Sequence, residues 1–383
     1  MELYVHIPFC VRKCRYCDFV SFQAEKSVMS DYIRNLLLEA EKSNQENQFP
    51  EIETVYIGGG TPSLLPDDLT RRLWEGLRSV FKIQPDAEIT VEANPGTVRE
   101  EWLDICLSNG VNRFSLGMQA AQAHVLELLG RIHRLNEVEK TVSLFQKKNI
   151  RNYNLDLMFG IPQQTKQDWS DTLSVALSMG PSHLSCYGLI PEEGTPIKKD
   201  LDEGRLLLPE SEEEREMYYM TKDVLLTNGY VQYEVSNFSR PGMECKHNIG
   251  YWTMKPYIGL GLAAASMSKI QRMSDGIRYF RKSNPIGFDD YEKYVRNEPV
   301  QLECELIDSA EARFETVMLG LRMTQGVNDQ FFKSLHGVTL SDTYPRVLEE
   351  LKKRGLMYFE DGSWKLTDTG MDIQNTVLVE FMQ

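Results

Sequence analysis

Strand-like and helix-like segments alternate through the first half of the chain, and that alternation admits few folds. Short apolar runs at Leu3–Ile7, Ile52–Ile57, Ala87–Ala93, Arg113–Gly117, Tyr153–Phe159 and Ser182–Leu189 read as six strands. Helical spacing follows them, as in Leu69, Leu73, Leu77, Val80 and Phe81 after the second strand. Ser30 reads as the N-cap of an earlier helix that carries Tyr32, Ile33, Leu36 and Leu37 on one side. Repeated βα units predict an α/β fold with a parallel sheet. The polar and glycine-rich motifs sit at the strands' C-terminal ends, the face where barrels of this kind build their sites. Six units fall short of eight. The expectation is a partial, open (β/α)6, TIM-like barrel, with a six-stranded doubly wound sheet as the alternative.

The first strand runs directly into Cys10-Val11-Arg12-Lys13-Cys14-Arg15-Tyr16-Cys17, a C-x3-C-x2-C spacing. Zinc sites usually take four protein ligands in paired sets. Three close thiolates with no nearby fourth cysteine or histidine suit a [4Fe–4S] cluster with one iron left open. A zinc knuckle short of a ligand, or three unrelated thiols, are the bland alternatives. Cys106, Cys186, Cys245 and Cys304 are scattered and read as small buried residues.

Composition narrows the function. The net charge of -14 argues against a nucleic-acid partner. The seven cysteines form no paired framework, which predicts a reduced, cytoplasmic protein. No signal-like start and no long apolar run is seen, so no membrane span is expected. Three regions are expected: the barrel over 1–200, a barrel extension and connecting region over 201–302, and a small module over 303–383. Within that module, helical patterns and a hairpin around Asp361-Gly362 predict a small α+β, winged-helix-like C-terminal domain. From Glu303 to Gln383 it holds eight Lys and Arg against fourteen Asp and Glu, so a duplex would be repelled. A packing or substrate-covering role is expected instead.

Several residues invite a ligand on chemical grounds. Gly58-Gly59-Gly60-Thr61 ends the second strand, where absent side chains let backbone approach a ligand. Glu92 ends the third strand and faces the predicted site. Asp156 lies inside an apolar strand, a costly position unless it is hydrogen-bonded or faces a polar ligand.

The cysteine spacing resembles that of the radical S-adenosylmethionine superfamily. The whole series Y-x-H-I-P-F-C-x3-C-x-Y-C, G-G-G-T-P, E-x-N-P, S-x-G-x-Q and D-L-x-x-G-x-P closely resembles the oxygen-independent coproporphyrinogen III oxidase-like family, over nearly the whole chain. The resemblance implies that Cys10, Cys14 and Cys17 hold the cluster and that S-adenosylmethionine chelates the open iron. It assigns Tyr4, Tyr16, Gly59, Gly60, Thr61, Glu92, Gln119, Arg131 and Asp156 to the cofactor pocket, with Gly188 a weaker candidate. It also implies an electron donor for the cluster.

That family has two branches. One decarboxylates coproporphyrinogen III oxidatively to protoporphyrinogen IX by way of a 5′-deoxyadenosyl radical. The other comprises haem chaperones. The decarboxylases carry a further cysteine two positions after the third; here that position is Phe19. Their long extension ahead of the cysteines has no counterpart in this sequence. His247-Asn248-Ile249-Gly250-Tyr251-Trp252 matches the H-N-x-x-Y-W motif associated with the chaperones. Imidazole is a standard axial ligand of haem iron, and Tyr251 and Trp252 offer flat faces to a porphyrin. A structural histidine is the alternative reading of His247. The expectation is a haem chaperone that passes haem to acceptor apoproteins. The decarboxylase is the runner-up, ahead of a radical enzyme for another substrate and of a zinc-bearing scaffold.

Overall fold

The expected strands form the middle of one sheet in the computed structural model, which describes residues 1–273 and 276–382. Strands β1 (Glu2–Ile7), β2 (Glu51–Gly59), β3 (Lys82–Ala93), β4 (Arg113–Gln119), β5 (Tyr153–Phe159) and β6 (His183–Gly188) pair in parallel and in chain order. Their crossovers are α1 (Lys26–Glu46), α2 (Asp67–Val80), α3 (Glu100–Ser108), α4 (Ala123–Leu128), α5 (Leu135–Lys147) and α6 (Lys166–Met179). Side chains alternate across a strand, and Leu3, Val5, Ile7, Leu155, Leu157 and Phe159 bury one face of the sheet in the core, while Tyr4, His6, Asn154 and Asp156 take the other. Leu69, Leu73 and Leu77 put the apolar side of α2 into the same core.

Ser30 does not cap α1. The helix begins at Lys26, because its buried stripe already starts at Met29 and continues through Tyr32, Ile33 and Leu36.

Helices α7 (Pro196–Asp202) and α8 (Ser211–Thr227) lead to two short strands, β7 (Val231–Gln232) and β8 (Asn237–Ser239), which close one edge next to β6. Helix α9 (Lys246–Trp252) precedes β9 (Tyr257–Leu260). That strand returns to the other side of the molecule and pairs in parallel with β1, Glu2 opposite Tyr257 and Val5 opposite Leu260. The antiparallel strands β10 (Ala265–Met273), β11 (Gly276–Ser283) and, after helix α10 (Phe288–Val295), β12 (Glu303–Ile307) extend this flank. Among the described residues the sheet runs open from β12 to β7.

The C-terminal segment from Ser309 has its own buried cluster, including Val317, Leu321, Phe332, Leu348, Trp364 and Phe381. A three-stranded antiparallel sheet joins Val327–Asn328, Met357–Glu360 and Ser363–Leu366. Backbone bonds from Val235 N to the Arg322 carbonyl (3.1 Å) and from Thr324 N to the Tyr233 carbonyl (3.0 Å) tie it to the barrel.

The barrel's lower end holds an unusual acid. Glu2 is 0% exposed, and neither carboxylate oxygen has a hydrogen-bond partner among the described residues. Gly250 makes room for it, since a Cβ there would lie 1.7 Å from Oε1. Burial pushes the Glu2 carboxyl up to about 8, against the pull of Lys255. A carboxyl whose folded pKa is raised stabilises the fold below its unfolded pKa and loses that contribution as pH rises through the folded value. The window here runs from about 4.5 to about 8. Glu2→Gln is therefore expected to melt progressively higher than wild type as pH goes from 5 to 8.5, by several degrees at the top. Thermal melts across that range check it. A melting difference that stays constant with pH would show that Glu2 does not titrate there.

Candidate functional site

The cysteine loop leaves the end of β1 through a closed neck. Cys10 N donates to the Phe22 carbonyl (3.0 Å) and Phe22 N to the Pro8 carbonyl (2.9 Å). Phe9 is buried beneath it, edge-on to Phe22 and Tyr32. The loop's far side is pinned through Arg15. Its N–H donates to the Leu129 carbonyl (3.0 Å), its carbonyl accepts from Ile197 N (3.0 Å), and its guanidinium pairs with Asp200. Cys10, Cys14 and Cys17 stay partly exposed and line one cavity of about 460 Å³ at the strands' C-terminal ends.

The glycine-rich end of β2 forms one wall. Gly60 N donates to the Ile7 carbonyl (2.8 Å), and a Cβ on Gly60 would strike backbone atoms of Ile7 and Phe9. Gly59 has φ +104°, with the His6 ring where its side chain would be. His6 bonds the Tyr4 hydroxyl through Nδ1 (2.9 Å) and the Val20 carbonyl through Nε2 (2.8 Å), so it fixes the loop's exit. Thr61 Oγ1 lies 3.5 Å from Cys10 Sγ and accepts from Asn94 Nδ2 (2.7 Å); Arg131 Nη1 donates to Asn94 Oδ1 (2.9 Å). The Arg131 guanidinium lies 5.9 Å from the Tyr16 ring centre.

Two carboxylates occupy the interior. Glu92 Oε1 accepts from the Tyr56 hydroxyl (2.8 Å) and Oε2 from Gly59 N (3.0 Å). Burial pushes it up to about 7, helped by the charge of Asp156 and opposed by those two donors and Arg131. Asp156 accepts from Asn154 Nδ2 (2.7 Å) and Ser115 Oγ (3.1 Å); burial raises its carboxyl and these bonds hold it back. Burial also raises the Cys17 thiol. Gln119, in the left-handed region at φ +65°, turns the end of β4 into the same cavity.

The cavity therefore gathers Tyr16, Gly59, Gly60, Thr61, Glu92, Gln119, Arg131, Asp156 and the three cysteines. Tyr4 lies just beneath, its ring stacked on Tyr56 (centroids 6.4 Å apart). Gly188 ends β6, and its bare Cα faces the Glu214 carboxylate, 2.9 Å from where a Cβ would stand. His247, Tyr251 and Trp252 do not line this cavity. They sit on α9, below it. His247 is 1% exposed, with Nδ1 on Thr54 Oγ1 (2.8 Å) and Nε2 on the Tyr251 hydroxyl (3.0 Å). Burial, then the charge of Arg113, push its imidazole down to about 3, so it is neutral. Trp252 carries the Arg322 guanidinium over its ring at 4.7 Å.

Asn94, His133 and Tyr56 are among the lining residues that the sequence reading does not assign to the site. Asn94 stands inside the E-x-N-P motif. His133 is buried, with Nε2 3.1 Å from the Met118 carbonyl. Tyr56 shares a strand face with Gly58, two residues on, and the period of two was the signal that could have found it.

The residues fit a cluster and a cationic small molecule. Among the described residues no three His, Cys, Asp or Glu side chains converge on a point for a single ion. A cubane cluster bonds each thiolate to a different iron and needs no such convergence. A Cβ on Gly58 would touch the Glu92 carboxyl (2.7 Å), and one on Gly117 would come within 3.0 Å of Arg131, Asn94 and Gln119. These glycines keep the polar wall open. The two raised carboxylates are placed to meet positive charge.

Fold and site together define a radical SAM protein, a class that carries a [4Fe–4S] cluster and S-adenosylmethionine. The family model described as "Radical SAM superfamily" matches residues 4–176, and that of the "HemN C-terminal domain" matches 307–373. The relative named Heme chaperone HemW of Synechocystis sp. is 38% identical, over 85% of this chain and 78% of its own. Those of Bacillus subtilis (32%, 99% and 98%) and Escherichia coli (33%, 100% and 98%) bear the same name. The chain belongs to the HemW family. The solved structure of coproporphyrinogen III oxidase (HemN) from Escherichia coli shares the fold, with a TM-score of 0.81 at 21% identity, over 99% of this chain and 89% of that one.

Proposed function

We propose that this chain is a haem chaperone: it binds haem and hands it to apoproteins that require it. The observation that carries the reading is near-full-length similarity to relatives named Heme chaperone HemW. Phe19 supports it. The decarboxylase branch has a cysteine at that position, and here a phenylalanine, 61% exposed, stands at the cavity mouth.

Cys10, Cys14 and Cys17 would hold the cluster. Gly59, Gly60, Thr61, Glu92, Gln119, Arg131 and Asp156 would hold S-adenosylmethionine, with Tyr4 and Tyr16 bracing them. When bound and reduced by an electron donor, the pair supplies one-electron cleavage of the sulfonium. The chain's own residues orient the cofactor, and Glu92 and Asp156 set the charge around it. His247 is the candidate iron ligand, with Tyr251 and Trp252 against the ring. Its neutral imidazole is the form that binds metal. A bond from Nε2 to iron would have to replace the bond to Tyr251, and His247, 1% exposed in the resting fold, would have to be uncovered first.

The test is an anaerobic haem titration of reconstituted protein, followed by Soret absorbance. Wild type is expected to form a stable stoichiometric complex, and His247→Ala to weaken it at least tenfold. Coproporphyrinogen III, supplied with S-adenosylmethionine and a strong reductant, is expected to go unconverted. Absence of specific haem binding in wild type, or turnover of coproporphyrinogen III, would sink the chaperone reading.

A further inference from the structure

Three rings stand in a column inside the barrel. His247, on α9, lies against Tyr56 on β2 with centroids 5.2 Å apart and planes 27° apart; Tyr56 lies against Tyr4 on β1 at 6.4 Å and 28°. Neither end of the column is free to turn. Thr54 and Tyr251 fix both nitrogens of His247, and the Tyr4 hydroxyl is bonded to His6 Nδ1 at 2.9 Å. The Tyr56 ring packs against both rings, and its hydroxyl lies 2.8 Å from Glu92 Oε1. The other oxygen of Glu92 is held by Gly59 N, on the glycine-rich turn itself (3.0 Å). Glu92 also lies over the bare Cα of Gly58. Its carboxylate is thus aimed from below by a side chain and from the side by backbone.

We infer that Tyr56, clamped by His247, is a positioning residue that holds Glu92 in the orientation the cofactor cavity needs. This gives the His247 segment a task in the resting fold, separate from any bond to haem. The inference rests on the reading of the cavity as the S-adenosylmethionine site and not on the haem reading. Its chemistry is simple. A cofactor carrying an ammonium and a sulfonium is favoured by an ionised carboxylate, and the phenol's hydrogen bond favours that ionised form. The other groups around Glu92 are Asp156 on β5, which opposes its ionisation, Arg131, which favours it, and the neutral phenols of Tyr4 and Tyr187.

Equilibrium dialysis with labelled S-adenosylmethionine tests it, on anaerobically reconstituted protein with iron content measured alongside. Tyr56→Phe keeps the ring column and removes the hydroxyl. It is expected to weaken binding about tenfold or more, as for loss of a hydrogen bond to a charged group. Cluster content and haem stoichiometry should stay at wild-type values. Affinity measured from pH 6 to 9 should reach its plateau at higher pH in Tyr56→Phe than in wild type, a shift that mere packing loss does not produce. Thr54→Val frees His247 Nδ1 and should move affinity in the same direction by less. Wild-type affinity and pH profile in Tyr56→Phe would overturn the inference. A wild-type protein that loads its cluster yet binds no S-adenosylmethionine would overturn the cofactor reading, and this inference with it.

Discussion

Cys14→Ser protein, reconstituted anaerobically, is expected to hold almost no [4Fe–4S] cluster while keeping its fold. The loop that carries Cys14 is held by protein contacts, the Cys10–Phe22–Pro8 clasp on one side and the Arg15 contacts to Leu129, Ile197 and Asp200 on the other. Cys14 is partly exposed, so serine costs the folded chain within about 0.5 kcal/mol. The cluster fares differently. On the proposed reading three protein thiolates make up the whole protein ligand set, and an alkoxyl oxygen is a poor substitute for a thiolate on iron. Iron and sulfide should fall to near background, and the cluster's visible absorbance with them, while the far-ultraviolet dichroism stays unchanged. Cys106→Ser is the control, since Cys106 sits on the buried face of α3 and does not line the cavity. Full iron loading in Cys14→Ser, or equal loss in Cys106→Ser, would remove the cysteine loop from the centre of the site.

Gly60→Ala is expected to disable the site from the opposite wall. The added methyl would lie 2.7 Å from the Ile7 carbonyl oxygen and 2.8 Å from the Phe9 nitrogen and oxygen. All three are backbone, so no side chain can rotate away. Either the end of β1 moves, carrying the cysteine loop, or the glycine-rich turn moves, carrying Thr61 and its bond to Asn94. Overpacking of this kind costs about 1–3 kcal/mol. Its larger effect falls on binding, because both walls meet at this contact; a displacement of this size is expected to weaken S-adenosylmethionine about a hundredfold. Gly287→Ala supplies the comparison, since nothing described lies within 4 Å of its added carbon. Equal, near-wild-type affinity in the two variants would show that the close approach at Gly60 does not shape the pocket.

The parallel strands were legible because each carries apolar residues at alternate positions, such as Leu3, Val5 and Ile7 or Phe114, Leu116 and Met118, which pack one face into the core, while polar residues such as His6, Ser115 and Asp156 fall on the other. The cavity followed from them, since the motifs sat at one set of strand ends. The start of α1 was misplaced at Ser30 because a good capping residue is a local signal, while the buried stripe through Met29 is set by the core it meets. The stretch from Cys245 to Met267 gave no clear period. It holds a seven-residue helix and a four-residue strand, too short to show one, and their place beside β1 is set by pairing with residues far away in the chain. The same distance hid the surroundings of His247. Thr54, Tyr56 and Glu88 reach it only once the sheet has formed.

The pairing of β9 with β1 has a bearing on biosynthesis. A ribosome must deliver Leu260 before β1 gains its second neighbour. Until then the edge of β1 that faces β9 is bare, and its unpaired N–H and C=O groups are a template for wrong partners. The cysteine loop is thus made long before the strand that completes the frame of β1.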